Sequence, residues 1–305
     1  MKAKLIVILG PTAVGKSALA LELALRIDGD IVNADSQQVY RYMNIGTGKP
    51  SEAERSLVPH HVIDVADPDE EFNAAIYRQL AGDAIERIHS SGKKAVVCGG
   101  TGLYLKALTQ GLFTGPAQDA KIRRSLENEI NEKGLAALYD RLVSIDKTVT
   151  GTIHPNDRQR IIRALEVYQK TGRPISEWQK EHAFRQQPYV VLKIGLQRER
   201  AELYGQINRR SERMIDDGLL DEVRGLVSRG YDLELKPLRS VGYLQMGAVI
   251  RGELSLSDAT DEMKQETRHL AKRQLTWFRR DDEIRWFHPE KQKDEIFRMI
   301  DEFLE

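Results

Sequence analysis

Apolar positions along the chain follow two spacings, and the order in which these alternate predicts the fold. Leu5-Ile6-Val7-Ile8-Leu9 is an unbroken apolar run rich in β-branched residues and closed by Gly10-Pro11. That pattern marks a short strand buried on both faces. Ala18-Leu19-Ala20-Leu21-Glu22-Leu23-Ala24, just beyond Ser17, is built from strong helix formers. Asp30-Ile31-Val32-Asn33-Ala34-Asp35 reads as a second short strand ending in a polar turn, and Gly46-Thr47-Gly48-Lys49-Pro50 as loop. His60-His61-Val62-Ile63-Asp64-Val65 reads as a further strand, capped by Asp67-Pro68. Over 73–89, Ala75, Ile76, Leu80, Ala84, Ile85 and Ile88 recur at helical spacing. Ala95-Val96-Val97-Cys98 is again a buried strand, running into Gly99-Gly100-Thr101-Gly102 before a helix opens at Leu103. Strand, glycine-rich loop and helix thus occur twice, which argues for a parallel α/β core.

Beyond Gly115-Pro116 the strand-like runs vanish until about residue 187. Residues 123–133, 135–144, 158–171 and 176–182 read as helices, with a break at Thr171-Gly172-Arg173-Pro174. Tyr189-Val190-Val191-Leu192-Lys193-Ile194-Gly195-Leu196 returns to strand, 201–217, 219–228 and 257–278 are helical, and Ile284-Arg285-Trp286-Phe287 is a last short strand before a terminal helix. The expected fold is α/β, with a parallel-sheet core of 1–115 and 188–305, a mostly helical C-terminal part, and an inserted helical subdomain at 116–187. With no internal repeat, heptad run or low-complexity linker, the parts are expected to pack as one unit.

Composition narrows the class without choosing a function. At 305 residues, 41% of them hydrophobic and 30% charged, the chain can build a substantial globular core. Lys plus Arg and Asp plus Glu both number 46, so any basic surface for a nucleic acid has to be local. The single cysteine, Cys98, excludes an intrachain disulfide and a cysteine-based metal cluster. The first apolar run is only five residues long, too short for a secretory core, and no segment is long enough to span a bilayer. A cytoplasmic protein is expected.

The sharpest chemical signal is Gly10-Pro11-Thr12-Ala13-Val14-Gly15-Lys16-Ser17, the pattern G-x-x-x-x-G-K-[ST] lying between a strand and a helix. Its glycines let backbone approach phosphate oxygens, and successive N–H groups face the anion at the helix N-terminus. Lys16 can reach a terminal phosphate and the Ser17 hydroxyl can ligate Mg²⁺. The core is therefore P-loop NTPase-like and the loop takes a di- or triphosphate, leaving open whether that is ATP. The companion acid of such sites is missing from the third strand, which ends Cys98-Gly99-Gly100. Asp35 stands at a strand end instead; it can anchor Mg²⁺, accept a proton, or cap its own turn. Thr101, between glycines, can meet a ligand or cap the helix at Leu103. Two basic runs stand out. One is Arg158-Gln159-Arg160-Ile161-Ile162-Arg163; the other is Arg268, Lys272, Arg273, Arg279 and Arg280, with Trp277 among them. Each suits RNA phosphates and bases, but taken alone each reads slightly better as a solvated face. His60, His61 and His154 lack metal-ligand spacing and read as structural.

Five separated stretches together resemble the bacterial tRNA dimethylallyltransferases. They are the octapeptide, Asp35-Ser36-Gln37-Gln38-Val39-Tyr40, Gly99-Gly100-Thr101-Gly102-Leu103-Tyr104, Asn156-Asp157-Arg158-Gln159-Arg160 with Arg163-Ala164-Leu165-Glu166-Val167, and Thr267-Arg268-His269-Leu270-Ala271-Lys272-Arg273-Gln274-Leu275-Thr276-Trp277. The resemblance runs in family order from Met1 to about Arg280. It implies transfer of a dimethylallyl group from its diphosphate to N6 of the adenosine 3′ to the anticodon. The partners are then dimethylallyl diphosphate and the tRNA anticodon stem-loop, with Mg²⁺ as cofactor and the chain a monomer.

On that resemblance Lys16, Asp35 and Thr101 are the catalytic residues, Asp35 taking the N6 proton. Gly10 to Ser17 with Arg210 hold the diphosphate, and Ser17 the Mg²⁺. The tRNA contacts fall on Asp35, Ser36, Gln37, Gln38, Thr101, Arg124, Gln159, Arg160, Ile161, Ile162, Arg163, Gly242, Tyr243, Gln245, Lys272 and Arg273. Leu244 departs from the pattern, standing where the family often has a basic residue. Three rivals share parts of the pattern: a small-molecule kinase, an adenylate isopentenyltransferase and a nucleotide-gated RNA-binding switch. The second has no use for a helical insertion, and the third none for a reactive Asp35.

Overall fold

The first apolar run forms β1 (Ala3–Leu9), in which residues 5–9 are all buried. In the computed structural model, which describes residues 2–111, 115–116, 118–182 and 187–305, this strand lies inside a parallel sheet. The chain leaves it through α1 (Lys16–Arg26) and returns as β2 (Gly29–Asn33). It continues through α2 (Glu52–Leu57) and β3 (His60–His61), then α3 (Ala74–Ser90), β4 (Lys94–Gly99) and α4 (Gly102–Gln110).

Two compact units divide the chain. The first comprises Met1–Thr109 and Gln187–Glu305, the second Gln110–Gln186. The second holds α5 (Ala120–Ile145), α6 (Arg158–Thr171) and α7 (Ile175–His182). After it come β5 (Tyr189–Leu196), α8 (Arg200–Asp216), α9 (Leu219–Ser228), α10 (Tyr243–Ile250), α11 (Leu256–Phe278), β6 (Arg285–Phe287) and α12 (Lys293–Leu304).

In the first unit the strand order is β3-β2-β4-β1-β5-β6, every pair parallel. Ile6 pairs with Val96 on one side and Leu192 on the other, so β1 is central. The chain runs outward from β1 to β2, then returns to insert β4 beside it. The carboxyl end of β1 is therefore a point where strand order reverses, the place where open α/β sheets bind ligands. One core cluster joins Ile6, Ile8, Val96 and Ile194 of the sheet to Leu19 and Leu23 of α1 and to Ile296 and Ile300 of α12.

The strand expected from His60 to Val65 stops at His61. Val62 and Asp64 turn to positive φ (61° and 55°), and Asp64 is captured by Lys49 Nζ at 2.6 Å and Arg55 Nη1 at 2.9 Å. Those ion pairs pull the backbone out of the extended form that strand pairing needs.

The second unit packs its own core from Leu126, Leu138, Leu142, Ile161, Ile162 and Leu165. Its first two expected helices meet at Gly134, whose φ of 82° and ψ of 160° no helix contains, and α5 spans both. Gly172, in the left-handed region at φ 70°, ends α6 with its N–H on Tyr168 O. No described helix is long and apolar enough to cross a membrane.

Candidate active site

The phosphate loop leaves β1 at Gly10, whose φ of 146° and closeness to β5 leave no room for a side chain. A Cβ there would lie 2.6 Å from Leu196 O. The loop ends at Gly15, and Lys16 opens α1 with Ser17 exposed behind it. Lys16 Nζ donates to Pro11 O at 2.7 Å. From outside, buried Arg198 braces the loop, its Nε donating to Val14 O at 3.0 Å while Glu202 and Glu290 neutralise its guanidinium.

At the carboxyl end of β2, Asn33 Oδ1 accepts the Asp35 N–H at 3.1 Å, and Asp35 Oδ1 accepts the Gln37 N–H at 2.8 Å. One carboxylate oxygen thus caps its own turn. The other, Oδ2, has no hydrogen-bond partner among the described residues. Thr101 does not cap α4 with its side chain. Its Oγ1 accepts the Ser36 N–H at 2.9 Å, and its N–H donates to Ala34 O at 3.1 Å, so the second glycine loop is stitched to the Asp35 turn.

Two residues of the C-terminal helices complete the site. Arg210 reaches from α8, its Nη2 donating to Thr47 O at 3.2 Å. Gln274, on α11, accepts the Thr12 N–H at 2.8 Å and donates to Gly100 O at 3.0 Å. In this arrangement the Thr12 N–H is spent on Gln274 and is not turned toward a ligand. Thr12, Lys16, Ser17, Asp35, Arg210 and Gln274 line one pocket of about 60 Å³. Larger cavities lie elsewhere. One of about 800 Å³, lined by Ala3 and Tyr189, sits at the amino ends of β1 and β5, away from the phosphate loop.

Burial sets the electrostatics of this pocket. It lowers Lys16 to about 8, aided by Arg210 and opposed by Cys98 and Asp35. Burial also lowers Arg210, with Asp35 opposing and Arg213 assisting. Cys98, on the pocket floor, is pushed by burial up to about 11, so its thiol is neutral and no nucleophile. Two desolvated cations beside one carboxylate form a site for an anion next to a proton acceptor.

The donors near the loop suit magnesium: the Ser17 hydroxyl and Asp35 carboxylate are both hard oxygens, and Mg²⁺ takes few protein ligands, keeping water and phosphate oxygens. Among the described residues one cluster has metal-ligand spacing, Glu202, His288 and Glu290, and there the Arg198 guanidinium already sits. His60 and His61 are both engaged within the fold. His61 pairs with buried Asp30 at 3.0 Å, and His60 Nδ1 lies 2.8 Å from Val58 O.

The sequence model of the IPP transferase family matches residues 38–281. The chain belongs to that family. It is 52% identical to a tRNA dimethylallyltransferase of Syntrophobacter fumaroxidans over 92% of the chain and 82% of the relative. It is 50% identical to one of Geobacter sulfurreducens, over 93% and 92%. Among solved structures, the tRNA isopentenylpyrophosphate transferase of Bacillus halodurans superposes with a TM-score of 0.74 at 39% identity, over 99% of this chain and 97% of that one. A eukaryotic dimethylallyltransferase acting on tRNA gives 0.77 at 30% identity, over 90% and 70%.

The RNA-contact candidates separate by exposure. In the first unit Lys272 and Arg273 are exposed, and Asp35 to Gln38 are partly so. Gly242, Tyr243 and Gln245 are buried: Tyr243 is bonded to Glu222, while Gln245 accepts the Gly242 N–H at 2.8 Å and donates to Glu262 at 3.2 Å. Exposed Leu244 stands between them. In the second unit Arg124, Gln159 and Arg160 are exposed, whereas Ile161 and Ile162 are core residues and Arg163 is tied to Glu166 at 2.7 Å. Ile161, Ile162, Tyr243 and Gln245 thus present almost no side-chain surface in this structure. Sequence reasoning missed Gln274, Glu222 and Arg198 as site residues. Gln274 lies inside a stretch that resembles the family, which was the available signal.

Proposed function

We propose that this protein moves the dimethylallyl group of dimethylallyl diphosphate onto N6 of the adenosine 3′-adjacent to the anticodon in tRNA. The observation that carries this reading is the meeting of Lys16, Arg210 and Asp35 in one pocket at the carboxyl end of β1. In the transfer, the N6 electron pair forms the new bond to the allylic carbon. The bond from that carbon to the bridging oxygen breaks, and its electrons leave with diphosphate. Lys16 and Arg210 face the charge that develops on the leaving group. The free Oδ2 of Asp35 takes the N6 proton. Ser17 would hold Mg²⁺, which when bound neutralises diphosphate charge. Thr101, through Ser36, fixes the turn that aims Asp35.

Lys16 and Arg210, held through Pro11 O and Thr47 O, present their charge to the diphosphate in this pocket. The target base has to leave its stack to reach Asp35, at a cost of a few kcal/mol offset by contacts with the RNA. Lys272 and Arg273 supply such contacts in the first unit, and Arg124, Gln159 and Arg160 in the second, which we assign to the anticodon stem-loop. A phosphoryl-transfer enzyme fits less well, since β4 ends at Cys98-Gly99 with no acid.

The test is incubation with dimethylallyl diphosphate, Mg²⁺ and unmodified tRNA, followed by mass analysis of the nucleosides. A C5 unit on one adenosine supports the reading. Unmodified adenosine at every position, with diphosphate unreleased, overturns it.

A further inference from the structure

The loop 44–48 accepts a hydrogen bond from Arg210 of α8, and a distant carboxylate holds the backbone of that loop. Glu222, on α9, accepts the N–H groups of Asn44 and Ile45 at 2.9 and 2.8 Å on Oε2, and that of Gly46 at 3.2 Å on Oε1. Three successive N–H groups converging on one anion form a nest, here filled from within the protein. The hydroxyl of Tyr243, fully buried, donates to the same Oε1 at 2.6 Å. Its ring lies where a Gly46 side chain would be, a Cβ falling 2.4 Å from Tyr243 Cε2.

The far side of the loop faces the candidate active site. Thr47 O accepts both Arg210 Nη2 and Gln38 Nε2 at 3.2 Å, and Gly48 O accepts Gln38 Nε2 at 3.1 Å. Gly48 has φ 59°, and a Cβ there would lie 2.3 Å from Arg210 Nη2, so the guanidinium lies directly against bare backbone. Beyond it, buried Lys49 pins the loop to Tyr40 O at 2.8 Å and Asp64 at 2.6 Å.

We infer that Glu222 is a positioning residue for substrate recognition: by holding the loop 44–48 it sets where Arg210 meets the diphosphate, and Tyr243 assists it. The inference rests on the reading of Arg210 as a diphosphate ligand. It also gives Tyr243, matched to RNA contact in the sequence, a role that its burial allows.

The test compares steady-state constants of Arg210→Gln, Glu222→Gln and Tyr243→Phe, with melting temperatures alongside. Glu222→Gln keeps the shape but puts an NH₂ against an N–H or the tyrosine hydroxyl. It is expected to raise KM for dimethylallyl diphosphate roughly tenfold, the size of one charge-assisted hydrogen bond lost, while KM for tRNA changes less. Tyr243→Phe fills the same space without the hydroxyl and is expected to shift the same constant by a few-fold. In the double variant with Arg210→Gln, the Glu222→Gln effect should largely disappear, because the residue to be positioned is gone. A melting-temperature drop with both KM values unchanged, or effects that simply add in the double variant, overturns the positioning role. An Arg210→Gln enzyme with unaltered KM for dimethylallyl diphosphate overturns the reading beneath it instead.

Discussion

Gln274 Oε1 accepts the N–H of Thr12 at 2.8 Å, so the phosphate loop is tied to α11 by one side-chain amide. The NH₂ group of the same amide donates to Gly100 O at 3.0 Å, joining the loop after β1 to the loop after β4. Gln274→Ala severs both links and leaves two backbone groups to be satisfied by water. Each lost bond is worth about 1 kcal/mol, so KM for dimethylallyl diphosphate should rise several-fold. Gln274→Glu should be worse, because a carboxylate still accepts from Thr12 but faces the Gly100 carbonyl and the incoming diphosphate. Steady-state kinetics on the two variants decides this; equal KM values in both and in the parent would show the bridge to be incidental.

Asp35 supports two functions with two different oxygens. Its Oδ1 holds the turn through the Gln37 N–H, and its Oδ2 is the proposed proton acceptor. Asp35→Asn keeps an oxygen for the turn and removes the base. Single-turnover prenylation should therefore slow by about 10²–10⁴-fold, the range for general-base catalysis, with dimethylallyl diphosphate still bound and the melting temperature nearly unchanged. An asparagine variant that prenylates at the parent rate would return Asp35 to a purely structural role.

How far the sequence reaches depends on how far apart the cooperating residues lie. The strand–loop–helix around Gly10 to Ser17 is local, so spacing alone reveals it, and β1, β4 and β5 follow from unbroken apolar runs. Arg210 bonding Thr47, Gln274 bonding Thr12 and Glu222 bonding the 44–46 backbone each join residues more than 160 positions apart. Nothing in apolar periodicity encodes those meetings. The short β3 shows a second limit: Val62 and Ile63 have strand propensity, but ion pairs from Lys49 and Arg55 to Asp64 override it. In α6, resemblance marks Ile161 and Ile162 together with Gln159 and Arg160, yet a helix faces two ways and only the latter pair is exposed.

The lowered Lys16 gives the reaction an alkaline limit. Burial brings its proton off near pH 8, so the cation that meets diphosphate is progressively lost above that value. kcat/KM for dimethylallyl diphosphate, which reports the free enzyme, should fall as pH rises through about 8. Lys16→Arg, charged throughout, should be less active at neutral pH but lack that limb. Stability carries the opposite sign. The unfolded lysine keeps its proton up to its ordinary 10.5, so the native state binds fewer protons between about 8 and 10.5 and is favoured as pH rises through that window. A flat kcat/KM profile from pH 7 to 10 would contradict the enclosed ammonium.

The second unit depends on Glu166, a carboxylate with no exposed side-chain surface. It accepts Arg123 Nε and Nη2 at 3.0 and 3.2 Å, Arg163 Nη1 at 2.7 Å and the Asp119 N–H at 2.6 Å. Burial by itself would raise this carboxyl; the hydrogen bonds from Arg123, Asp119 and Arg163 outweigh it and hold the group below its usual range. The stability it confers is therefore complete above the ordinary value of 4.5 and is lost as pH falls below it. Glu166→Gln leaves two arginines without their partner, which should destabilise this unit by about 3 kcal/mol at pH 7. The gap from the parent should shrink as the parent is acidified and its own carboxylate takes up a proton. Thermal melts followed by far-ultraviolet circular dichroism at pH 7 and pH 4 test both parts. A variant that melts with the parent at pH 7, or a gap that widens toward pH 4, would mean that the two arginines draw their stability from elsewhere.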